Sequence, residues 1–465
     1  MFKTLYDYDI YPKVFPVGKA VDITVKALGE HVRFEGEYKI TVHRINSGNV
    51  YDPATAWNHT DYTVTAGADN TLRFTYTAGE ETEHYVRIWK EDKRVVQLAV
   101  YALNPDLACR IPLHGDFHMH TCRSDGREDP GIVCANYRKY GYDFMPITDH
   151  HRYYPSLEAI ADYAPADPFL TILPGEEVHL PLTDVHIVNV GGTFSVNGLL
   201  ESSWNFKDKG SDLKYRSLDG KAPDMVPMDE YKRQVEEIMN SVDCADCPEN
   251  VDKRSYAVCL WAFRKIREGG GLGIFAHPYW ISDLWQIPEP YTLYMLKKHP
   301  FDAFEVLGGE SYYEENGLQT SLYYEEYRRN NVFPVVGSTD SHGSTEHNPI
   351  AHTSSTYVFT RKNEREDIVS AVKDGYSVAI DTISKEYRLV GEYRYQKYVA
   401  FLMDNWMPIH DRVAAMDGEI MREYYEGEAD ASEVAFMRRK SEALPRFRER
   451  LRKRGIFMPG LRRSR

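Results

Sequence analysis

The sequence is short of several things, and each shortage narrows its reading. No apolar run in the 465 residues approaches the ~20 that a bilayer-spanning helix needs, so no membrane protein is expected. The opening residues, MFKTLYDYDIYPKVF, lack a basic segment followed by an apolar one. No secretory leader is read, and a cytoplasmic location is the expectation. The six cysteines, Cys109, Cys122, Cys134, Cys244, Cys247 and Cys259, are too few for a disulfide framework at this length. Cys244 and Cys247 form a CxxC, but no second pair or nearby His completes a zinc knuckle, and they read as loop thiols. Positive charge is also scarce: 56 Lys and Arg against 70 Asp and Glu give a net charge of −14. General binding along a nucleic-acid backbone is therefore not expected. The one basic stretch, RFRERLRKRGIFMPGLRRSR at 446–465, reads as a solvated helix face and a frayed end.

What is present indicates a soluble multidomain protein, since 42% of residues are hydrophobic and 27% charged. The length suggests two domains and an extension. Residues 1–106 carry DITVKAL, EYKITVHRI, DYTVTAG, TLRFTYTAG, HYVRIWK and VVQLAVYAL, punctuated by Gly, Asn and Asp. This pattern predicts an antiparallel, all-β sandwich of immunoglobulin-like size. It holds no catalytic constellation: His31, His43, His59 and His84 are scattered and read as structural or surface residues. A structural or assembly role is expected for it, with carbohydrate or partner binding as the alternatives. From 107 to about 384 short apolar strands alternate with helical segments, which predicts a parallel α/β barrel or sheet. A long segment at about 195–250 interrupts it and reads equally as a lid or as decoration. From about 385 the strands stop, and charged helices predict a helical C-terminal extension over 385–465. Whether that extension packs on the barrel or makes a homo-oligomer contact is left open.

The chemistry is concentrated in the α/β region. In GDFHMHTCRSDG, successive side chains of an extended strand alternate faces, so His118 and His120 share one face while Phe117 and Met119 share the other. Asp125, in the turn SDG, can curl back over the strand end. His150 follows an apolar strand in MPITDHH, Glu176 and Glu177 follow another in ILPGEEV, and DVHIVNV carries His186. His277 ends a strand in GIFAHP, and Asp340 and His342 end another in VVGSTDSHG. In an α/β barrel such strand ends converge on one mouth. Six histidines and three carboxylates at matching points indicate a metal centre rather than core packing.

The order HMHT…SDG, TDH, PGEE, VHIV, AHP, GSTDSHG, spanning roughly 107–380, resembles the polymerase-and-histidinol-phosphatase (PHP) superfamily. The resemblance implies a distorted (β/α)7 barrel whose two or three divalent metal ions hydrolyse a phosphate mono- or diester of a small molecule or nucleotide. It implies that His118, His120, Glu177 and Asp340 hold one ion. Glu177 would bridge to a second held by His186 and His277, and Asp125, His150 and His342 would hold a third. Glu177 is preferred to Glu176 by the family's Gly-x-Glu, and His179 is the alternative to His186. Imidazole and carboxylate donors without thiolate suit Mn, Fe or Zn. Three such ions against three carboxylates would leave the site net positive. It would draw in phosphate and lower the pKa of a bound water to roughly 7, giving a metal-activated hydroxide.

Catalytic candidates adjoin these motifs. Asp149 and His151 are candidate proton donors to the leaving group, and Asp149 reads equally as a residue orienting a ligand His. Arg152 is a candidate bidentate grip on phosphate. Tyr153, Tyr154, Tyr279 and Trp280 are further candidates for contacting substrate, and read better as rim packing. The rival reading is an amidohydrolase-like metallohydrolase of a C–N or C–O bond, although the carboxylated Lys that pattern wants is missing from the strand ends. A non-catalytic metal-binding module would lack ligands, and this set is complete.

Overall fold

The computed structural model describes residues 7–46, 58–200, 216–281, 283–308, 315–345, 351, 353–382 and 388–439. The basic stretch 446–465 and residues 201–215 of the long segment lie outside them. The described chain divides into two compact units. One runs to Ile111 and includes Lys397–His410; the other is Pro112–Gln396 with Asp411–Arg438.

The first unit contains two sheets. Strands β1 (Tyr8–Tyr11), β3 (Val21–Ala27) and β6 (Thr71–Tyr76) form an antiparallel sheet in the order β1-β3-β6. The other sheet contains β2 (Val14–Pro16), β4 (Glu37–Arg44), β5 (His59–Thr65), β7 (Glu83–Lys90) and β8 (Lys93–Leu103), in the order β2-β8-β7-β4-β5. Alternation turns Ile23, Val25, Leu72 and Phe74 of one sheet and Ile40, Val42, Val86, Ile88 and Leu98 of the other into one buried cluster. One pair departs from the antiparallel expectation, because β2 runs parallel to β8. Pro12 lies between β1 and β2 and has no N–H to extend the first ladder, so the chain leaves it and joins the other sheet. Tyr398 and Phe401 pack on Tyr101 within the same unit.

The second unit is mixed α/β. A six-stranded sheet has the order β11-β10-β9-β17-β18-β19, from β9 (Ile111–Gly115), β10 (Phe144–Pro146), β11 (Thr171–Leu173), β17 (Ser354–Thr360), β18 (Ser377–Asp381) and β19 (Arg388–Gly391). A five-stranded sheet runs in sequence order through β12 (Gly175–Val178), β13 (Ile187–Val190), β14 (Leu272–Phe275), β15 (Ala303–Leu307) and β16 (Val335–Gly337). Pro174 separates β11 from β12, so the stretch 171–178 pairs first with β10 and then with β13. Two bridges join the sheets again, His150 with Glu177 and Met119 with Ser341. Pairing thus runs from β9 through β10, β12, β13, β14, β15 and β16 back to the residues following β9. The expected parallel order fails at β13, which is antiparallel to both neighbours. Its N-terminal end therefore lies beside the C-terminal ends of β12 and β14.

Helices α1 (Pro130–Lys139) and α2 (Tyr154–Tyr163) link β9 to β10 and β10 to β11. Within the long segment lies α3 (Met228–Met239); α4 (Lys253–Glu268) precedes β14, and α5 (Glu289–Lys298) and α6 (Glu315–Arg328) link β14 to β15 and β15 to β16. Phe263 and Ile266 of α4 and Met295 of α5 pack with Phe275, Phe304 and Leu307 of the strands.

Past residue 385 the chain does not continue as helices alone. β19 extends the six-stranded sheet, a strand too short at four residues to show a period. Helix α7 (Tyr393–Asn405) follows it, and then α8 (Met407–Glu426). Asp417 of α8 forms a fully buried ion pair with Arg138 of α1 at 3.0 Å, and Met421 packs with Val133 and Tyr137. Among the described residues no helix is long and apolar enough to cross a membrane.

Two adjacent residues of β7 give the first unit opposing pH responses. Burial, then Asp404, pushes the Glu83 carboxyl up to about 7. Burial drives His84, between the rings of Phe15 and Tyr76, down to about 4. The Glu83 contribution is fully present below pH 4.5 and is lost as pH rises through about 7. The His84 contribution is present above pH 6.5 and is lost as pH falls through about 4. Glu83→Gln is expected to stabilise the protein by about 1–2 kcal/mol at pH 8 and hardly at all at pH 4.5. Thermal melts at the two pH values test this; a gain that is the same at both removes the assignment.

Candidate metal centre

Glu177 is the middle of the site. Its backbone N–H reaches the carbonyls of Thr148 (3.1 Å) and Asp149 (3.3 Å), and its carbonyl accepts from His151 N at 3.1 Å. The strand's alternation sends Glu176 to the other face, where Asn189, Ser195, Asn197 and the Val196 N–H surround its carboxylate. The Glu177 carboxylate is fully buried among six imidazoles. Oε2 lies 3.6 Å from Nε2 of both His118 and His120, 3.2 Å from His179 Nε2, and in direct contact with His150 Nδ1. Oε1 lies 2.7 Å from His186 Nδ1 and 3.6 Å from His277 Nε2.

The strand ends deliver these rings as the pairing dictates. His118 and His120 lie beyond the end of β9 rather than inside it. Their backbone stays extended through two hydrogen bonds, Asp340 N to His118 O and His120 N to Ser341 O, both 2.8 Å. His150 follows β10, His277 follows β14, and Asp340 and His342 follow β16. His186 precedes β13, and it reaches the same mouth because that strand runs backwards. Asp340 contacts His120 (2.8 Å), His118 (3.3 Å) and His277 (3.7 Å). Asp125 contacts His342 (3.3 Å) and His150 (3.5 Å). Gly126 lets the SDG turn lie this close, since a Cβ there would sit 2.7 Å from the backbone of His120. Asp340 and His151 both have left-handed backbone, at φ 51° and 62°, which is uncommon for side-chain-bearing residues and frequent at functional sites.

All nine residues marked as ligands from sequence are thus joined in one cluster. Eight of them, all but His186, gather with His179 into groups whose donor atoms lie within 4.8 Å of one another: His120-Asp125-His150-His342, His118-Glu177-His277, His118-His120-Asp340 and His150-Glu177-His179. His120 therefore stands with the Asp125 set as well as with His118 and Asp340, a different partition from the one the resemblance implies. His179 and His186 both face Glu177. The donor chemistry fits divalent ions on a further count. His118 Nε2, His277 Nε2, His186 Nδ1 and both Glu177 oxygens are buried and make no hydrogen bond despite lying so close together. Donors aimed at a shared centre, rather than at each other, produce this geometry.

The electrostatics alternate around the cluster. Burial alone would raise the Glu177 carboxyl, but His150, His186, His179 and His118 hold it well below the usual carboxylate range. Asp340 and Asp125 are lowered in the same way against burial, Asp340 by His118 and His120, Asp125 by His150 and His342. Burial opposes protonation of His150, but Glu177 and Asp125 push it up to about 10; Asp340, Glu305 and Glu177 raise His118 against the same opposition. Burial lowers His120 to about 3 and His179 to about 4.

The catalytic candidates lie beside this cluster. Asp149 is fully buried and accepts from Thr121 N (2.8 Å), Thr121 Oγ1 (2.6 Å), Ser124 N (3.2 Å) and Ser124 Oγ (2.5 Å). It fixes the loop leading to Asp125 and does not face the mouth as a free acid. The His151 ring packs 4.5 Å from that of His179, and burial, then His179, lowers it to about 4. Arg152 contacts the Tyr154 hydroxyl at 3.3 Å. Tyr153 bonds to Gly192 O at 2.7 Å and Tyr279 to Glu289 at 3.4 Å, both as buried packing residues.

Three polar residues at the site were not marked from sequence. Glu305, on β15, places Oε2 3.0 Å from His118 Nδ1. Its signal was a charged residue inside the apolar run FEVL. Asp116 accepts from His118 N (3.1 Å) and Thr339 Oγ1 (2.6 Å), and burial pushes it up to about 7. Gln286 places its amide nitrogen 2.7 Å from His186 Nε2 and 2.8 Å from Asp184 O, and nothing in the local sequence marks it.

An ion bound only by the folded state stabilises it by about 2.7 kcal/mol at a hundredfold excess over Kd. Saturating Mn or Zn should therefore raise the melting temperature by several degrees, and Glu177→Gln should remove most of that rise. An ion-independent melting temperature in the wild type rules the metal centre out.

No family model matches the chain, and no curated protein matches its sequence. Among solved structures it is similar to a two-domain protein from Bacteroides vulgatus that contains a predicted PHP-like metal-dependent phosphoesterase. The identity is 17% and the TM-score 0.37, covering 59% of this chain and 66%, just under two thirds, of that one. A candidate metal-dependent phosphoesterase from Bifidobacterium adolescentis matches at 17% identity and a TM-score of 0.30, over 50% of this chain and 89% of that one. An amidohydrolase from Chromobacterium violaceum, with bound sulfate and no metal, matches at 15% identity and a TM-score of 0.30, with the same coverages. At these scores the likeness assigns neither a family nor an activity.

Proposed function

We propose that this chain is a metal-dependent phosphoesterase of PHP type that hydrolyses a phosphate mono- or diester of a small molecule or nucleotide. The observation that carries the reading is the convergence of His118, His120, Asp125, His150, His186, His277, Asp340 and His342 on and beside the buried Glu177 carboxylate, with Nε2 of His118 and His277, Nδ1 of His186 and both Glu177 oxygens making no hydrogen bond. The seven-strand circuit of pairing supports the distorted (β/α)7 barrel, and the two sheets sharing one core support an immunoglobulin-like sandwich before it. Two or three divalent ions, Mn, Fe or Zn, would be held by these residues, with His179 as a further donor beside His150 and Glu177. Such ions supply Lewis acidity toward phosphoryl oxygens and an activated water at neutral pH.

The chain's own residues supply position and charge. Asp149 and Asp116 fix the loops that carry Asp125, His118 and Thr339. Arg152, whose N–H bonds to Asp149 O in the same turn as His150, is proposed as the cation that orients an anionic substrate. Asp149 is saturated with hydrogen bonds and His151 is neutral at pH 7, so neither is a ready acid, and the leaving oxygen takes its proton from water. The N-terminal unit is proposed to serve structure or assembly.

The test is hydrolysis of p-nitrophenyl phosphate and bis-p-nitrophenyl phosphate with added Mn. Turnover is expected, lost with chelator, reduced by at least ~100-fold in His118→Ala, and raised in KM more than lowered in kcat by Arg152→Ala. If neither ester turns over while metal is bound, the phosphoesterase reading fails. Hydrolysis of an amide or lactone by the same preparation would then establish the C–N or C–O hydrolase.

A further inference from the structure

We propose that Glu305 is a positioning residue that fixes the tautomer and aim of His118 and thereby sets metal affinity at the centre. The inference rests on the proposed metal site but concerns a residue outside its ligand set. Glu305 and His118 are both fully buried, and Glu305 Oε2 lies 3.0 Å from His118 Nδ1. An ionised carboxylate can only accept, so Nδ1 carries the hydrogen. In the neutral, metal-binding ring Nε2 then carries the lone pair, on the side of Glu177 Oε2 (3.6 Å) and Asp340 Oδ1 (3.3 Å). The other tautomer would set two lone pairs against each other at 3.0 Å between two fully buried groups. A carboxylate behind a ligating imidazole also raises the ring's basicity and holds its orientation.

The local backbone is built around this carboxylate. A Cβ at Gly308 would stand 1.9 Å from Glu305 Oε1, so a larger residue there would push the Glu305 carboxylate out of this position. Asn316 holds that glycine in place, with Oδ1 2.9 Å from Gly308 N.

The experiment uses zinc alone as the probe and needs no substrate. In 1H–15N spectra of the zinc-loaded, histidine-labelled wild type, His118 is expected to show a protonated Nδ1 and a zinc-shifted Nε2; the reverse pattern overturns the inference. Competition with a chromophoric chelator is expected to show a 10- to 100-fold loss of zinc affinity in Glu305→Gln, partly restored in Glu305→Asp. The metal-free circular dichroism spectrum should stay that of the wild type. A folded Glu305→Gln that binds zinc as tightly as the wild type also overturns it, while the metal centre stands. A wild type that binds no zinc removes both readings, and failure to hydrolyse phosphate esters with zinc bound removes only the function.

Discussion

A carboxylate buried beyond the reach of water has to be compensated, and among the described residues Glu177 is compensated by imidazoles. Its neighbour Glu176 meets the same requirement conventionally, with hydrogen bonds from Asn189, Ser195, Val196 N and Asn197. Glu177 instead keeps both oxygens free of hydrogen bonds while six rings crowd within 3.6 Å. The two residues sit on opposite faces of one strand, so a shift of register by one residue would exchange these environments. The pairing of β12 with β13 and the turn after β10 are thus held to a single solution by the need to bring compensating rings to Glu177.

Around that centre the protein spends further carboxylates on geometry. Asp149 ties down the 121–124 loop, Asp116 ties the start of the His118 segment to Thr339, and Glu305 stands behind His118. None needs to meet a substrate to matter. With Glu305 counted, the surplus of positive charge that three divalent ions would bring is smaller than Asp125, Glu177 and Asp340 alone suggest.

Much of the site was legible because its motifs fall at strand ends, where a spacing of two residues and a position after an apolar run mean something geometric. HMH, TDHH, PGEE, AHP and TDSH are of this kind. His186 was the hard case, because it precedes its strand, and only the reversed direction of β13 brings it to the mouth. The partners that hold the ligands were less visible. Glu305 and Asp116 act across the sheet, 187 and 223 residues from the groups they bond, and no local pattern encodes that distance. The alternation of apolar residues identified the N-terminal strands, but not the parallel pairing of β2, which follows from where Pro12 ends the first ladder.

The two sheets of the second unit meet along lines where residues of the proposed ligand set also supply the backbone bonds, His150 with Glu177 and the His118–His120 stretch with Asp340–Ser341. In the proposed protein an ion would therefore act as a rivet across both seams. Metal scarcity in the cell would then do more than idle the catalyst. It would loosen the seams, expose them to proteases, and let the supply of an inorganic nutrient set the lifetime of the polypeptide itself.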